Sequence, residues 1–323
     1  MFVNRSHLPA LYLAVALVLS SLPTHGKASN SDTPIKETEL LQKYVVMCGQ
    51  DGPDKIQSMQ TLSPVERSYI WRLHLGLYLA RTNSTLTRDQ QNIILETLNV
   101  ISPQLFNPPD PNNPTARSMT LERVDQLRRR GLQVFSKDEA AEIFSAIGRA
   151  QDGEALRRYT ELSELSIRDR KVSFNLMGAE QKASLWRVHF GLNLARHPEW
   201  TEQQRSIVLE AITMTTPQLY TLPKDNNWTR RVDEPVRLLT QKALLVFTKQ
   251  QGAALFSELG FPEQPRSNHA RRPIMGGCGC SQESDWCSHQ CVGAECTVLT
   301  WGCGTFGLYA CNGTCYVPPP INN

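Results

Sequence analysis

From Ser63 onward, apolar residues recur at helical spacing, and each run opens on an explicit start signal. Ser63-Pro64-Val65-Glu66 is a capping box with proline at the first helical position, and Ile70, Leu73, Leu77 and Ala80 follow on one face. Trp71, Leu73, Leu75, Leu77 and Leu79 also alternate as a strand would, but the scarcity of β-branched residues and the N-cap favour a helix. Thr87-Arg88-Asp89-Gln90 opens a second helix, carrying Ile93, Ile94, Leu98 and Ile101 and stopping before Pro103. A Pro/Asn-rich loop from Asn107 to Pro114 comes next. Residues 121–135 then read as a helix with Arg128, Arg129 and Arg130 on its solvated face. Ser136-Lys137-Asp138-Glu139 starts another, through Ile143, Phe144 and Ile147, with Gly148 expected to end it in a left-handed cap. Upstream, Leu40 to Met47 is an apolar segment that leads into Cys48.

The pattern then returns. Trp71-Arg72-Leu73-His74-Leu75-Gly76-Leu77 reappears as Trp186-Arg187-Val188-His189-Phe190-Gly191-Leu192. Thr201-Glu202-Gln203-Gln204 repeats the second capping box, Pro217-Gln218-Leu219-Tyr220 repeats Pro103-Gln104-Leu105-Phe106, and Val246-Phe247 with Thr248-Lys249-Gln250-Gln251 repeats the third box and the residues before it. Phe256 and Gly260 stand where Phe144 and Gly148 stood. Two homologous helical units, residues 40–150 and 151–260, are the economical reading.

A different composition begins after a linker, residues 261–277, that is rich in proline and polar residues. Eight of the nine cysteines lie between Cys278 and Cys315. So short a segment buries too little apolar surface to fold unaided, so Cys278, Cys280, Cys287, Cys291, Cys296, Cys303, Cys311 and Cys315 are expected to form disulfides in a small, loop-rich domain over residues 278–323. Sequence does not choose the pairing. The rival reading, zinc held by thiolates, depends on compartment. Arg5, the apolar run Leu11 to Leu22 and Gly26-Lys27-Ala28 read as a signal peptide over residues 1–28 cleaved after Ala28, followed by a polar, disordered lead over 29–39. Export to an oxidising compartment favours disulfides, and Cys48 is then the odd thiol, expected to be buried.

Charge and aromatic content set the tail further apart. The chain carries a formal charge of +3, yet from Gly276 onward there is no Lys or Arg, only Glu283, Asp285 and Glu295. Trp286, Trp301, Phe306, Tyr309 and Tyr316 crowd into the same stretch. The first four are candidate target contacts if exposed on a rigid scaffold, suited to a protein target or a bilayer interface; the alternative is packing against the bridges. Without basic residues, the tail has no electrostatic attraction to anionic lipid.

Cys278-Gly279-Cys280-Ser281, Ser284-Asp285-Trp286-Cys287, Gly302-Cys303-Gly304-Thr305 and Cys311-Asn312-Gly313 resemble the bacteriocin fulvocin C and its relatives. The likeness covers the last forty-six residues or so. It implies a secreted antibacterial peptide made at the end of a larger precursor, with a bacterial envelope target and a processing protease as partners. Gly276-Gly277 resembles the leader cleavage sites of many bacteriocins, and Arg271-Arg272 is a second candidate for processing.

No enzymatic pattern competes with this reading. His74 and His189, with Glu96 and Glu210 in the following helices, could supply a metal site, but neither histidine has a second ligand one turn away, and duplication alone makes positions recur. G-x-S-x-G, His-Glu-x-x-His and a glycine-rich phosphate loop are all missing. Basic residues are scattered among acids, which argues against nucleic acid. The sequence therefore predicts a mainly α protein: duplicated helical units forming a pro-region and a disulfide-rich C-terminal domain, non-enzymatic and without cofactor or metal. The other function it supports is a secreted binding or adhesion protein in which the tail is a permanent module.

Overall fold

The computed structural model describes residues 37–107, 114–261 and 278–316. The signal peptide, Ala28, most of the polar lead, residues 108–113 of the Pro/Asn-rich loop and the processing candidates Arg271, Arg272, Gly276 and Gly277 lie outside them. Among the described residues no helix is long and apolar enough to cross a membrane.

The protein is mainly α with a small disulfide-rich C-terminal region. The first repeat runs α1 (Glu37–Cys48), α2 (Gly52–Thr61), α3 (Pro64–Thr82), α4 (Arg88–Val100), α5 (Pro103–Phe106), α6 (Pro114–Val134) and α7 (Lys137–Phe144). The second runs α8 (Ala150–Glu164), α9 (Ile167–Leu176), α10 (Ala179–Arg196), α11 (Glu202–Met214), α12 (Gln218–Thr221), α13 (Asn226–Trp228), α14 (Glu234–Val246) and α15 (Lys249–Phe256). The capping boxes at Ser63, Thr87, Ser136, Thr201 and Thr248 are all formed in both directions, side chain to N3 amide and N3 side chain to cap amide. Each satisfies two amides that a helix start leaves orphaned, worth about 1 kcal/mol per cap. Asp51 and Ser166, at equivalent places in the two repeats, cap α2 and α9 in one direction, each side chain accepting from the N3 amide.

Two expected boundaries shift. The helix opened by Ser136 closes at Phe144, and Gly148 (φ +69°) turns the chain four residues later; Gly260 (φ +102°) does the same after α15. A side chain at Gly148 would also strike Cys48 Sγ. The helix expected from residue 121 begins at Pro114.

By contact density the described chain forms two compact units, Met1–Arg157 with Leu194–Glu199, and Arg158–Asn193 with Trp200–Asn323. In the first, Leu40, Leu41, Tyr44, Ile70, Leu73, Ile94 and Ile143 form the core. His74 is buried there, its Nε2 on the Glu142 carbonyl at 2.9 Å and its Nδ1 3.4 Å from Tyr44 Oη. His189 does the same in the second unit, with Tyr159 Oη at 2.8 Å and the Leu255 carbonyl at 3.1 Å. In both, a tyrosine and a carbonyl saturate the imidazole, which fixes one helix against another.

The tail belongs to the second unit. Its bridges are Cys278–Cys296, Cys280–Cys291, Cys287–Cys315 and Cys303–Cys311. Antiparallel pairs β1 (Gln290–Gly293) with β4 (Gly313–Tyr316), and β2 (Leu299–Cys303) with β3 (Tyr309–Cys311), give it more regular structure than the loop-rich expectation. The cysteines form its own small cores, Cys278 with Cys303 and Cys311, and Cys280 with Cys287 and Cys291. Asp285 ties the scaffold by accepting from the amides of Cys287 (2.8 Å) and Cys291 (3.0 Å).

Candidate functional site

The chemistry of the second unit concentrates where the tail meets the second helical repeat. Between β2 and β3 the chain makes a tight turn, Thr305–Gly307, and Gly304 just before it, Phe306 and Gly307 all have positive φ (64°, 58° and 63°). Glycine takes this conformation freely, but a phenylalanine held there costs about 1 to 3 kcal/mol. Packing holds it. The Phe306 ring is fully buried, with centroids 5.8 Å from Trp186, 5.7 Å from Phe190 and 6.5 Å from Phe256. Removing such a ring from water contributes about 1.5 to 3 kcal/mol, comparable with the backbone cost.

Trp286 extends this contact. It stacks on Phe256 (5.9 Å, 21°) and lies over Gly252 of α15, where a Cβ would come within 2.4 Å of the indole. Its Nε1 donates to Thr305 Oγ1 (3.0 Å), which also meets Thr240 Oγ1 (2.9 Å) on α14. Tyr309 donates to Asp233 Oδ1 at 2.7 Å. Asp233 sits in a π-turn, Thr229–Asp233, that joins α13 to α14 just before Pro235.

Lysines of the helical repeat complete the seam, and they meet carbonyls and ring faces more than carboxylates. Lys171 Nζ donates to the Gly279 carbonyl (2.6 Å) and lies 3.3 Å from Cys303 Sγ. Lys224 donates to the Leu308 carbonyl (2.9 Å) and sits 4.3 Å over the Trp301 ring, with Lys182 at 5.6 Å from the same ring. Lys249 is 3.9 Å from Asp285. Tyr220 donates to the Phe306 carbonyl (3.2 Å). Loss of hydration pushes Lys171 down to about 8 and lowers Lys182 and Lys224 from their ordinary range. Burial, with Asp233 alongside, pushes Tyr309 well up.

All four candidate target contacts therefore lie on one face of the tail, but that face is covered. Trp286, Phe306 and Tyr309 are buried and Trp301 is partly so, each with a ring contact to the helical repeat. Of the two readings, exposure and packing, the intact chain shows packing, and the repeat supplies the matching aromatics. Tyr316 remains outward, 47% exposed.

The remaining candidates separate. His74 is pushed down to about 4 by burial, and Glu96 pairs with Arg123 and Arg130 at the surface. His189 is taken by Tyr159 and backbone, and Glu210 pairs with Lys242. Neither glutamate is bonded to its histidine. Cys48 is a buried free thiol, pushed up to about 12 by loss of hydration. The sulfurs of Cys280, Cys287 and Cys291 lie within 4.8 Å of one another, but they belong to two neighbouring bridges. A cavity of about 30 Å³ beside Lys171, lined also by Phe174, Trp186, Gly302 and Gly307, has room for a group the size of one water.

Sequence reasoning missed Lys171, Tyr220, Lys224, Asp233 and Gly252. The duplication held a signal for three of them. Lys171 stands where the first repeat has Ile56, Tyr220 where it has Phe106, and Gly252 where it has Ala140. Each substitution supplies what the tail needs, respectively an ammonium, a hydroxyl and a vacant Cβ position. Comparison of the chain with protein-family models, with curated proteins and with solved structures finds no match.

Proposed function

We propose that the chain is the precursor of a secreted, fulvocin C-like antibacterial peptide, and that the second helical repeat holds the tail with its aromatic face covered until cleavage between the two. The observation that carries this reading is the burial of Trp286, Phe306 and Tyr309 against helices of the repeat. The residues best suited to engage a target are the ones withheld. Four bridges within the tail supply the means to keep its shape once separated.

A second reading draws on the same seam. Phe306 completes an aromatic cluster with Trp186, Phe190 and Phe256, as a permanent core residue would, which favours a secreted binding or adhesion protein that keeps its tail. Intact mass spectrometry of the secreted product, before and after reduction, decides between them. A species starting near Cys278, with eight cysteines alkylated only after reduction and activity against neighbouring bacteria, is expected for the precursor. A stable full-length chain overturns it in favour of the permanent module.

A further inference from the structure

Lys171 combines three features that the holding role does not require. Its ammonium contacts a disulfide sulfur, Cys303 Sγ, at 3.3 Å. Among the described residues no carboxylate lies within ion-pair distance of it, Glu258 acting only from further away. It has also lost enough hydration to titrate near 8, so at neutral pH it is a charged group without a close counter-ion. A disulfide sulfur is a weak partner for an ammonium, whereas a thiolate at the same place would make a charge-assisted pair. The neighbouring charges do not substitute for it. Arg170, on the same cavity, donates to the carbonyls of Ser163, Leu165, Leu259 and Phe261.

We propose that the second helical repeat catalyses closure of the Cys303–Cys311 bridge, with Lys171 activating Cys303 as the attacking thiolate. The proposal deepens the reading above and rests on its docking, not on antibacterial activity. Phe306 lies between the two cysteines in sequence, so seating its turn in the aromatic pocket brings β2 and β3 together and sets Cys303 beside Lys171. The oxidant is an external disulfide, a small molecule such as oxidised glutathione or a protein disulfide, that first forms a mixed disulfide with Cys311 while the hairpin is open. Cys303 thiolate then attacks Cys311 Sγ. The Cys303–Cys311 bond forms, the mixed disulfide breaks, and the departing thiolate takes the electron pair and a proton from solvent. Over both exchanges the cysteine pair gives up two electrons and the external disulfide is reduced to two thiols. Lys171, a cation 3.3 Å from the sulfur, lowers the proton affinity of Cys303.

The test reads bridge formation directly. The full chain is reduced, refolded with oxidised glutathione at pH 6 to 9, quenched in acid, alkylated and mapped by mass spectrometry. Closure of Cys303–Cys311 is expected to slow about tenfold at neutral pH in Lys171→Met, with the pH midpoint of its rate moving up by about one unit, and to be largely retained in Lys171→Arg. Lys224→Met weakens the seam without touching Cys303 and is expected to slow closure far less. An unchanged rate in Lys171→Met, or an equal slowing in Lys224→Met, overturns the proposal. A second measurement does not depend on refolding. In a Cys311→Ser chain, the pH dependence of Cys303 alkylation gives its thiol pKa, expected about one unit or more below the ordinary value near 8.5. A value at or above the ordinary one overturns the proposal as well.

Discussion

Tyr220 and Phe106 occupy the same place in the two helical repeats and differ by one hydroxyl, and in the second repeat that hydroxyl donates to the carbonyl of Phe306 across 3.2 Å. An otherwise ordinary helical position has become a clamp on the tail. Tyr220→Phe restores the first repeat's residue and keeps the ring, so it isolates the hydrogen bond. A loss of about 1 kcal/mol is expected in urea unfolding of the second unit, with the Phe174 and Trp301 ring contacts retained.

Phe306→Ala removes the ring that fills the aromatic pocket while the turn keeps its flanking glycines. The expected cost is about 3 to 5 kcal/mol, and the left-handed backbone gains nothing in return because alanine keeps the Cβ. Limited proteolysis should then cut the chain near the tail faster than wild type while the first unit stays resistant. Equal resistance of both chains would show that the pocket does not hold the tail.

Above neutral pH the seam should gain stability before it loses it. Lys171 titrates near 8 in the folded chain against an ordinary value near 10.5, so between these the unfolded chain binds more protons and stability rises with pH. Tyr309 is shifted up, so above pH 10 the unfolded chain gives up its phenolic proton first and stability falls. Denaturant midpoints of the second unit should therefore increase from pH 7.5 to 9.5, and Lys171→Met should reduce that rise.

Acid acts on the first unit through His74. Its folded value near 4 lies below the ordinary 6.5, so the penalty for leaving it neutral is nil above pH 6.5 and grows as pH falls toward 4. Up to about 3 kcal/mol of stability should be lost over that range, and His74→Gln should remove most of the slope in midpoints measured from pH 7 to 4.

Thiol counting checks the bridge assignments. Cys48 is buried, and its thiol is pushed up to about 12, so the native chain should show no reactive thiol. Denaturant without reductant should release one and full reduction nine, the whole cysteine content. More than one thiol before reduction would mean an open bridge in the tail.

The helical repeats were legible because their information is local. Ser63, Thr87, Ser136, Thr201 and Thr248 each announce a helix within four residues, and recurrence of the Trp-Arg-x-His segment announces the duplication. Asp51 and Ser166 passed unnoticed because α2 and α9 carry little apolar periodicity to read after the cap. The tail's disulfide content followed from cysteine density, but its pairing did not, since bridges join residues whose approach depends on the whole fold. The seam was least legible. Trp286, Phe306 and Tyr309 could be named as contact residues, yet their partners Gly252, Tyr220 and Asp233 come from a region that looks like any other helix until it is set against the first repeat.

The covalent link between repeat and tail bears on the Phe306 pocket in one further way. While the chain is whole, the pocket sees its tail at an effective concentration in the millimolar range or above, so even a weak seam stays shut. After a cut, the same contacts become a bimolecular equilibrium governed by dilution. A nick alone would leave much of the product as a two-piece complex in a confined space, and spread into a larger volume would separate it. If the chain is the precursor proposed above, the pocket sets where the tail becomes free and the cut sets when.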